Sequence, residues 1–284
     1  MQKIAVRGGY LDVEVIDLTP PWVVNAPTVI LHHGIGIDMN IWSGWLPQLV
    51  DSFRIVRFNM RDFGKSAVPS PDAGLEIGTF VDDVIAVANA TGTPRFHLLA
   101  ESFGGMVSLT TAIRHPSRVM SATLLSTPHC GADIRPLGGW PALAQSAEGM
   151  RLWNDEMMAG RFTPNGIEEG AAAWFRSVQE GTSPAWLSTM ARLITRTDLS
   201  DALPALDMPV LLISGDASPY VGVSQVARLK ALLPDAQVQI LAGARHGIAF
   251  SHPAQSASAF REFMASAPFF HPQAYFDTKR HHEK

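Results

Sequence analysis

Residues 97–109 have the sequence HLLAESFGGMVSL, in which an apolar run stops at Glu101-Ser102 and resumes only after two glycines. The first half of this stretch predicts a buried β-strand, and the second half begins a helical pattern that ends just before Pro116. A sharp turn containing Ser102 must join the two elements. We therefore predict a serine hydroxyl at the carboxyl end of a strand and at a helix N-terminus, where free N–H groups favour developing negative charge.

Short apolar, β-branched segments recur along the chain and alternate with helical patterns. The strand-like segments are residues 11–18, 27–33, 53–60, 95–100, 118–126, 208–215 and 236–243, and the clearest helical patterns are 77–92, 223–234 and 253–266. Most strand-like segments from residue 27 onward are too continuously apolar to have one face in water, so they are predicted to be covered on both sides. The alternation predicts an α/β fold with a mostly parallel central sheet flanked by helices.

One long interval, residues 129–203, contains helix-like pieces but no strand pattern. It carries four tryptophans: Trp140, Trp153, Trp174 and Trp186. We interpret it as a helical cap inserted before the late strands, with aromatic rings that line an apolar pocket; a helical subdomain that buries its own aromatics would show the same pattern. The predicted organisation is a core formed by residues 1–128 and 204–270, the cap, and a C-terminal tail of residues 271–284.

Composition excludes several classes of protein. A net charge of −4 argues against nucleic acid or an anionic membrane as the main partner. There is neither an N-terminal apolar segment of signal-peptide length nor a stretch long enough for a membrane span. The lone Cys130 excludes an internal disulfide and fits a reducing compartment. We expect a cytoplasmic protein acting on a small molecule, and the sequence leaves open whether the chain forms a homo-oligomer.

The turn at Ser102 has the form A-x-S-x-G, with the small residues Ala100 and Gly104 on either side of the serine. It resembles the nucleophile elbow of the α/β-hydrolase superfamily, whose usual pattern is G-x-S-x-G; alanine is small enough to replace the first glycine. A serine at this position disfavours the dehalogenase and epoxide-hydrolase branches, which carry aspartate there.

Four further elements resemble the same family and occur in the family's order. Upstream, residues 33–36 (HGIG) resemble the H-G-x-G oxyanion loop, and residues 59–66 (NMRDFGKS) resemble a D-x-R-G-x-G-x-S stretch with Asp62 in place of its first glycine. Downstream, Asp216 follows a late predicted strand and His246 follows the next one. Together with the elbow, these elements extend over almost the whole chain.

The resemblance implies a role for each of these residues. Ser102 is the expected nucleophile, His246 the base that takes its proton, and Asp216 the acid that orients the imidazole. The backbone N–H groups of Ile35 and Phe103 are the expected oxyanion hole. Two structural alternatives stay open at this point: Ser102 as an ordinary helix N-cap and Asp216 as a turn-forming residue.

Substrate-binding residues are less sharply defined by the sequence. Arg61 and Arg245 are candidates for binding a substrate carboxylate, although a structural ion pair explains each arginine equally well. The four tryptophans of the predicted cap are candidates for the pocket wall. No cofactor is expected: the segment GIGIDM lacks the third glycine of a dinucleotide loop, and no metal-binding spacing occurs.

The layout resembles small enol-lactonases, carboxylesterases and C–C bond hydrolases. We therefore predict a serine hydrolase that cleaves an ester or lactone of a small, partly apolar and carboxylate-bearing substrate through an acyl-enzyme on Ser102. A C–C bond hydrolase of a vinylogous diketone would use the same triad. Lyase or perhydrolase chemistry also remains open, as does a different class of protein, a non-catalytic small-molecule receptor on this fold.

Overall fold

The computed structural model describes residues 1–68 and 75–266. The predicted tail, 271–284, and the end of the predicted core, 267–270, lie outside this range. The strands are β1 (Gln2–Val6), β2 (Gly9–Ile16), β3 (Thr28–His32), β4 (Arg54–Phe58), β5 (Phe96–Glu101), β6 (Val119–Leu125), β7 (Val210–Gly215) and β8 (Ala236–Leu241). They form one sheet in the order β1-β2-β4-β3-β5-β6-β7-β8.

Helices connect the strands. They are α1 (Leu46–Leu49), α2 (Ile77–Ala90), α3 (Phe103–Arg114), α4 (Trp140–Leu143), α5 (Ala147–Arg161), α6 (Glu169–Glu180), α7 (Pro184–Arg196), α8 (Val223–Leu232), α9 (Ile248–Ser251) and α10 (Pro253–Ser266). Short 3₁₀ turns span Met39–Trp42, Gly131–Asp133, Arg135–Gly139 and Leu203–Ala205. Among the described residues, no helix combines the length and the apolar character needed to cross a bilayer.

The sheet is parallel from β4 through β8, and β1 and β2 are joined to it by antiparallel pairing. Every residue of β3, β5 and β7 is buried, as expected for strands covered on both faces. This confirms the predicted α/β class. Two features differ from the simple pattern: β1 was not predicted, because only Ile4 of its five residues is buried, and β8 is largely exposed because it is an edge strand.

Parallel strands place their carboxyl ends at the same edge of a sheet, which is where open α/β folds build their sites. In this chain, the loops after β3, β5, β7 and β8 all begin at that edge. The loop after β3 contains Ile35, the turn after β5 contains Ser102, and the loops after β7 and β8 contain Asp216 and His246. The topology thus gathers the predicted site residues from positions far apart in sequence.

Between β6 and β7, the segment that we name the helical insert (residues 129–203) contains α4 to α7 and no named strand. Its aromatic rings pack inside it and against the core. The rings of Trp140 and Trp153 meet edge to face with centroids 5.9 Å apart, and Trp186 meets Phe80 of α2 at 6.4 Å. The first contact packs the insert internally, and the second joins the insert to α2 beside the sheet.

Candidate active site

The turn between β5 and α3 has the sharp geometry that the sequence pattern predicts. Ser102 has φ 54° and ψ −120°, a conformation that costs a non-glycine residue free energy. The neighbouring strand β3 and helix α3 approach so closely that a Cβ atom on Gly104 would lie 2.5 Å from the carbonyl oxygen of His32. The tight packing maintains the strained turn and presents the Ser102 hydroxyl at the edge of the sheet.

His246 reaches this hydroxyl from the loop after β8. Its Nε2 lies 3.0 Å from Ser102 Oγ, although the two residues are 144 positions apart. The helical insert holds the loop in place, because the His246 backbone N–H donates to the Gly160 carbonyl at 3.2 Å and the Gly247 N–H donates to the Arg161 carbonyl at 3.1 Å. The structure therefore brings the predicted nucleophile and the predicted base into hydrogen-bonding contact.

The imidazole of His246 is held in its neutral form. Burial, together with the smaller effect of the positive charge of Arg161, lowers its pKa from 6.5 to about 3. A neutral imidazole has one nitrogen free to accept a proton, which is the state that a general base requires. The base is therefore unprotonated throughout the neutral pH range.

The prediction that Asp216 orients this imidazole is corrected by the structure. Asp216 follows β7 directly and is exposed, and its carboxylate accepts a hydrogen bond from the Gly243 N–H at 2.7 Å. The side chain that contacts the other imidazole nitrogen belongs to Ser218, whose Oγ lies 3.3 Å from His246 Nδ1. The physical reason is the path of the loop: it turns back toward the site only two residues after Asp216.

The predicted oxyanion-hole residues, Ile35 and Phe103, lie beside Ser102 and line the same cavity. Phe103 is the first residue of α3, so its N–H has no acceptor within the helix. The loop that carries Ile35 is held by His33, whose Nε2 accepts from the Met60 N–H at 3.0 Å and whose Nδ1 lies 2.6 Å from the Gly34 carbonyl. His33 therefore anchors the loop.

The cavity over Ser102 is mostly apolar, and the helical insert forms much of its wall. Apolar lining residues are Met106, Pro128, Ile134, Leu137, Trp140, Met157 and Ile194; polar ones are Glu101, Arg161 and Tyr220. Trp140 is the predicted tryptophan that lines it. The other three do not: Trp153 lies behind Trp140, Trp174 packs on Phe175 and Phe250, and Trp186 packs on Phe80. For these three, the expected pocket contact is corrected to aromatic packing.

Both predicted substrate-binding arginines lie outside this cavity. Arg61 forms a buried ion pair with Asp83 at 2.5 Å and donates to the Arg7 carbonyl at 2.8 Å. Arg245 donates to the Ala159 carbonyl and lines a separate open cleft. The structural alternative thus holds for Arg61, and Arg245 binds the backbone of the helical insert although it directly precedes His246 in sequence.

The cation that lines the cavity is Arg161, at the last position of α5, which the sequence analysis missed. Its side chain is almost fully buried; it donates to the Ile35 carbonyl at 2.5 Å and to Gln179 Oε1, while its Nε has no partner. No local motif marks this arginine. Its one distinguishing feature in the sequence is that it is a basic residue at the end of a helix that has a buried face. That pattern is common, so it does not identify a site residue.

Glu101 is the acidic group of the cavity. Its carboxylate accepts a hydrogen bond from the Gly34 N–H, and its Oε1 has no partner. Burial raises the pKa of Glu101 from 4.5 to about 7, against the attraction of Arg161. The carboxyl is thus only partly ionised at neutral pH, so it balances the buried charge of Arg161 incompletely. Across residues 1–68 and 75–266, no cluster of His, Cys, Asp or Glu is arranged to hold a metal ion.

Comparison with known proteins agrees with this architecture. Residues 27–253 match the family model described as alpha/beta hydrolase fold. The chain is 31% identical over 260 residues to a pimeloyl-[acyl-carrier protein] methyl ester esterase from Methylococcus capsulatus, covering 85% of this chain and 96% of that protein. It is 26% identical over 257 residues to a 2-hydroxymuconate semialdehyde hydrolase from Pseudomonas sp. strain CF600, covering 84% and 87% of the two chains.

A solved structure shows the same fold. The crystal structure of the enol-lactonase from Burkholderia xenovorans LB400 superposes with a TM-score of 0.83 at 23% identity, over 93% of this chain and 100% of that one. The family model covers most of the chain and includes the elbow serine and the late histidine. The chain belongs to the α/β-hydrolase fold family.

Proposed function

We propose that the protein is a serine hydrolase that cleaves an ester or lactone of a small, partly apolar, carboxylate-bearing substrate. The observation that carries this proposal is the 3.0 Å contact between His246 Nε2 and Ser102 Oγ, made at a strained turn inside an apolar cavity. A serine hydroxyl becomes an effective nucleophile when a neighbouring base takes its proton during attack. The neutral, buried His246 meets that requirement.

In the proposed mechanism, Ser102 Oγ attacks the substrate carbonyl carbon while His246 Nε2 takes the hydroxyl proton. The resulting oxyanion accepts hydrogen bonds from the N–H groups of Ile35 and Phe103. The imidazolium then gives its proton to the departing alkoxide oxygen, which leaves an acyl-enzyme on Ser102. Water attacks the acyl carbon, His246 takes the water proton and returns it to Ser102 Oγ, and the carboxylic acid product leaves.

The cavity wall supports the proposed substrate class. Its apolar side chains, Trp140 among them, fit the apolar part of a small substrate, and Arg161 is the cation beside Ser102 that fits a carboxylate. A buried guanidinium with incomplete charge balance gains from an anionic ligand, because its attraction to that ligand is strong in a site shielded from water. The unpartnered Nε of Arg161 is a further donor.

A second candidate is a hydrolase that cleaves a C–C bond in a vinylogous diketone with the same Ser102 and His246. The similarity to a protein named 2-hydroxymuconate semialdehyde hydrolase favours including it. The two activities are separated by incubating the protein with p-nitrophenyl esters, lactones and diketo acids and identifying the products. Turnover of the diketo acids alone would replace ester or lactone cleavage as the proposed activity.

The rival from another class is a receptor that binds a small molecule without turning it over. A fluorophosphonate probe separates the two, because it labels a serine only when a base activates the hydroxyl. We expect labelling of the native protein and none of a Ser102→Ala variant, with the labelled residue located by peptide mass spectrometry. An unlabelled Ser102 in correctly folded native protein would favour the receptor.

A further inference from the structure

The second contact of the His246 ring involves a hydroxyl where the family resemblance predicts a carboxylate. Ser218 is buried, and its Oγ lies 3.3 Å from His246 Nδ1, on the side of the ring opposite Ser102. Each of the two ring nitrogens therefore contacts a serine oxygen. Asp216, the acidic residue nearest to Ser218 in sequence, accepts a hydrogen bond from the Gly243 N–H instead.

The loop holds the Ser218 oxygen in place through its own backbone. The N–H groups of Val221 and Tyr220 lie 3.1 and 3.4 Å from Ser218 Oγ, and the Tyr220 ring packs edge to face on the His246 ring at 5.0 Å. This is a built position: two backbone donors aim at one oxygen atom, and that atom faces the catalytic imidazole. A hydroxyl held in this way can fix the orientation of the ring.

We propose that Ser218 is the positioning residue of His246, so that the working set is Ser102–His246–Ser218 with no carboxylate beside the imidazole. This inference rests on the proposed serine-hydrolase function and assigns its third member. In the active form, the His246 Nδ1–H donates to Ser218 Oγ, and the Nε2 lone pair faces the Ser102 hydroxyl. One lone pair of Ser218 Oγ accepts from the Val221 N–H at 3.1 Å. The other is available to His246 because the Tyr220 N–H, at 3.4 Å, is only a weak donor. Ser218 thus sets which ring nitrogen carries the proton.

A hydroxyl performs this task less strictly than a carboxylate. An ionised carboxylate can only accept a hydrogen bond, so it stabilises the single imidazole tautomer that has a proton on the facing nitrogen. A hydroxyl has one proton and two lone pairs, so it can pair with either tautomer. If Val221 and Tyr220 filled both lone pairs of Ser218, its proton would point at His246 Nδ1 and the ring would turn its other N–H toward Ser102. That tautomer cannot act as a base toward Ser102, so any molecule that adopts it is inactive.

A hydroxyl also adds no negative charge. The groups that face His246 are Arg161 from α5, Tyr220 from the loop after β7, and Ser102 and Glu101 at the end of β5. Arg161 disfavours the imidazolium, and Glu101 is only partly ionised. An aspartate at position 218 would accept from His246, Val221 and Tyr220 together and would stabilise the imidazolium that forms during acylation.

The test compares three substitutions of Ser218, with p-nitrophenyl acetate as the probe substrate. Ser218→Ala removes one neutral hydrogen bond and is expected to lower kcat about 3- to 10-fold. Ser218→Thr keeps the hydroxyl and is expected to retain native kcat within about 2-fold. Ser218→Asp is expected to raise kcat about 10-fold or more, because it removes the unproductive tautomer and stabilises the imidazolium.

The pH profile separates positioning from a merely structural role. A base works only when unprotonated, so activity falls as the pH drops through the pKa of His246. Ser218→Asp raises that pKa, and the acid limb of kcat/KM is therefore expected to move to higher pH than in the native protein. In Ser218→Ala and Ser218→Thr, the acid limb of kcat/KM is expected to stay at the same low pH as in the native protein. Thermal unfolding of each variant checks that the fold is retained.

Asp216→Asn is the matched control, since it changes a carboxylate two residues away that contacts Gly243 instead of His246. We expect native kcat and a native pH profile for it. Two results would overturn the proposal. The first is a greater loss of activity in Asp216→Asn than in Ser218→Ala. The second is a Ser218→Asp variant that has the same unfolding temperature, the same kcat and the same acid limb as the native protein.

A spectroscopic measurement keeps the inference separate from the proposed function. In protein with ¹⁵N-labelled histidine, the two ring nitrogens of His246 report the tautomer and the pKa without any turnover. We expect the proton on Nδ1 as the main tautomer in the native protein, only that tautomer with a raised pKa in Ser218→Asp, and no change in Asp216→Asn. Identical spectra for all three proteins would overturn the role of Ser218, whereas failed fluorophosphonate labelling with the expected spectra would overturn only the hydrolase.

Discussion

Arg161 donates a hydrogen bond to the carbonyl oxygen of Ile35 at 2.5 Å, across 126 positions of sequence. The bond connects the end of α5 in the helical insert to the loop after β3, which holds one of the proposed oxyanion donors. The same arginine lines the cavity and lowers the pKa of His246. One buried guanidinium is therefore in a position to influence the oxyanion loop, the base and a bound anion.

Arg161→Gln should weaken activity on acidic substrates more than on neutral ones. Loss of a charge-assisted contact with a substrate carboxylate is expected to lower kcat/KM about 10- to 100-fold for a p-nitrophenyl ester of a dicarboxylic acid, relative to p-nitrophenyl butyrate. The measured quantity is the ratio of the two kcat/KM values, because any damage to the oxyanion loop affects both substrates. Arg245→Gln is the control; an equal fall of the ratio in that variant would contradict the role of Arg161.

Ser102→Ala should abolish turnover and leave the fold intact. Removal of a triad nucleophile typically costs about 10⁶ in kcat, while alanine occupies the same space with little change in packing. Ser102→Gly should also be inactive, but it should increase the free energy of unfolding by about 1 kcal/mol, because glycine adopts the positive φ of this turn without strain. Calorimetry of both variants checks this; a large loss of stability in Ser102→Ala would show a structural role.

Gly104→Ala should destabilise the elbow. The added Cβ would lie 2.5 Å from the His32 carbonyl oxygen, so β3 and α3 must separate, at a cost of about 1–3 kcal/mol and with a loss of activity. The matched control is Gly170→Ala near the start of α6, where nothing lies within 4 Å of the added atom. That change should be neutral or stabilising by about 0.5–1 kcal/mol. Urea unfolding would disprove the argument if both variants behaved alike.

The fold should lose stability as the pH falls below about 6.5. Burial lowers the pKa of His32, His97 and His246 to about 3 and that of His33 to about 4. Below pH 6.5 these histidines become protonated in the unfolded chain but stay neutral in the folded protein. Each histidine therefore lowers the free energy of unfolding by up to about 1.4 kcal/mol per pH unit until the pH reaches its pKa in the folded protein.

Glu101 opposes this trend. Its pKa is raised to about 7, so the folded state binds its proton more readily, and its contribution to stability grows as the pH falls from 7 toward 4.5. Burial also raises the pKa of Asp83 to about 6, which acts in the same direction as Glu101. The four histidines outweigh these two carboxyl groups, because their pKa shifts are larger in sum. Urea unfolding at pH 7, 6, 5 and 4 should therefore show a falling midpoint, with a smaller fall for a His97→Gln variant. A midpoint that rises over this interval would contradict the assignment.

Local sequence patterns predicted much of the fold. Continuous apolar runs mark β3, β5 and β7 because both faces of those strands are covered, and small residues around Ser102 mark the elbow because a strand and a helix touch there. The same signals fail where burial is one-sided or slight, which is why β1 was missed and why β8 is more exposed than its composition suggests.

The sequence by itself determined the fold class, the position of Ser102 and the choice of His246, since each depends on neighbours within a few positions or on order along the chain. Tertiary structure alone decided which third side chain meets the imidazole and which arginine enters the cavity. Asp216 and Arg61 have the expected residue types, but their partners are Gly243 and Asp83. The direction in which a loop turns back is set by long-range packing, and it brought Ser218 to the base.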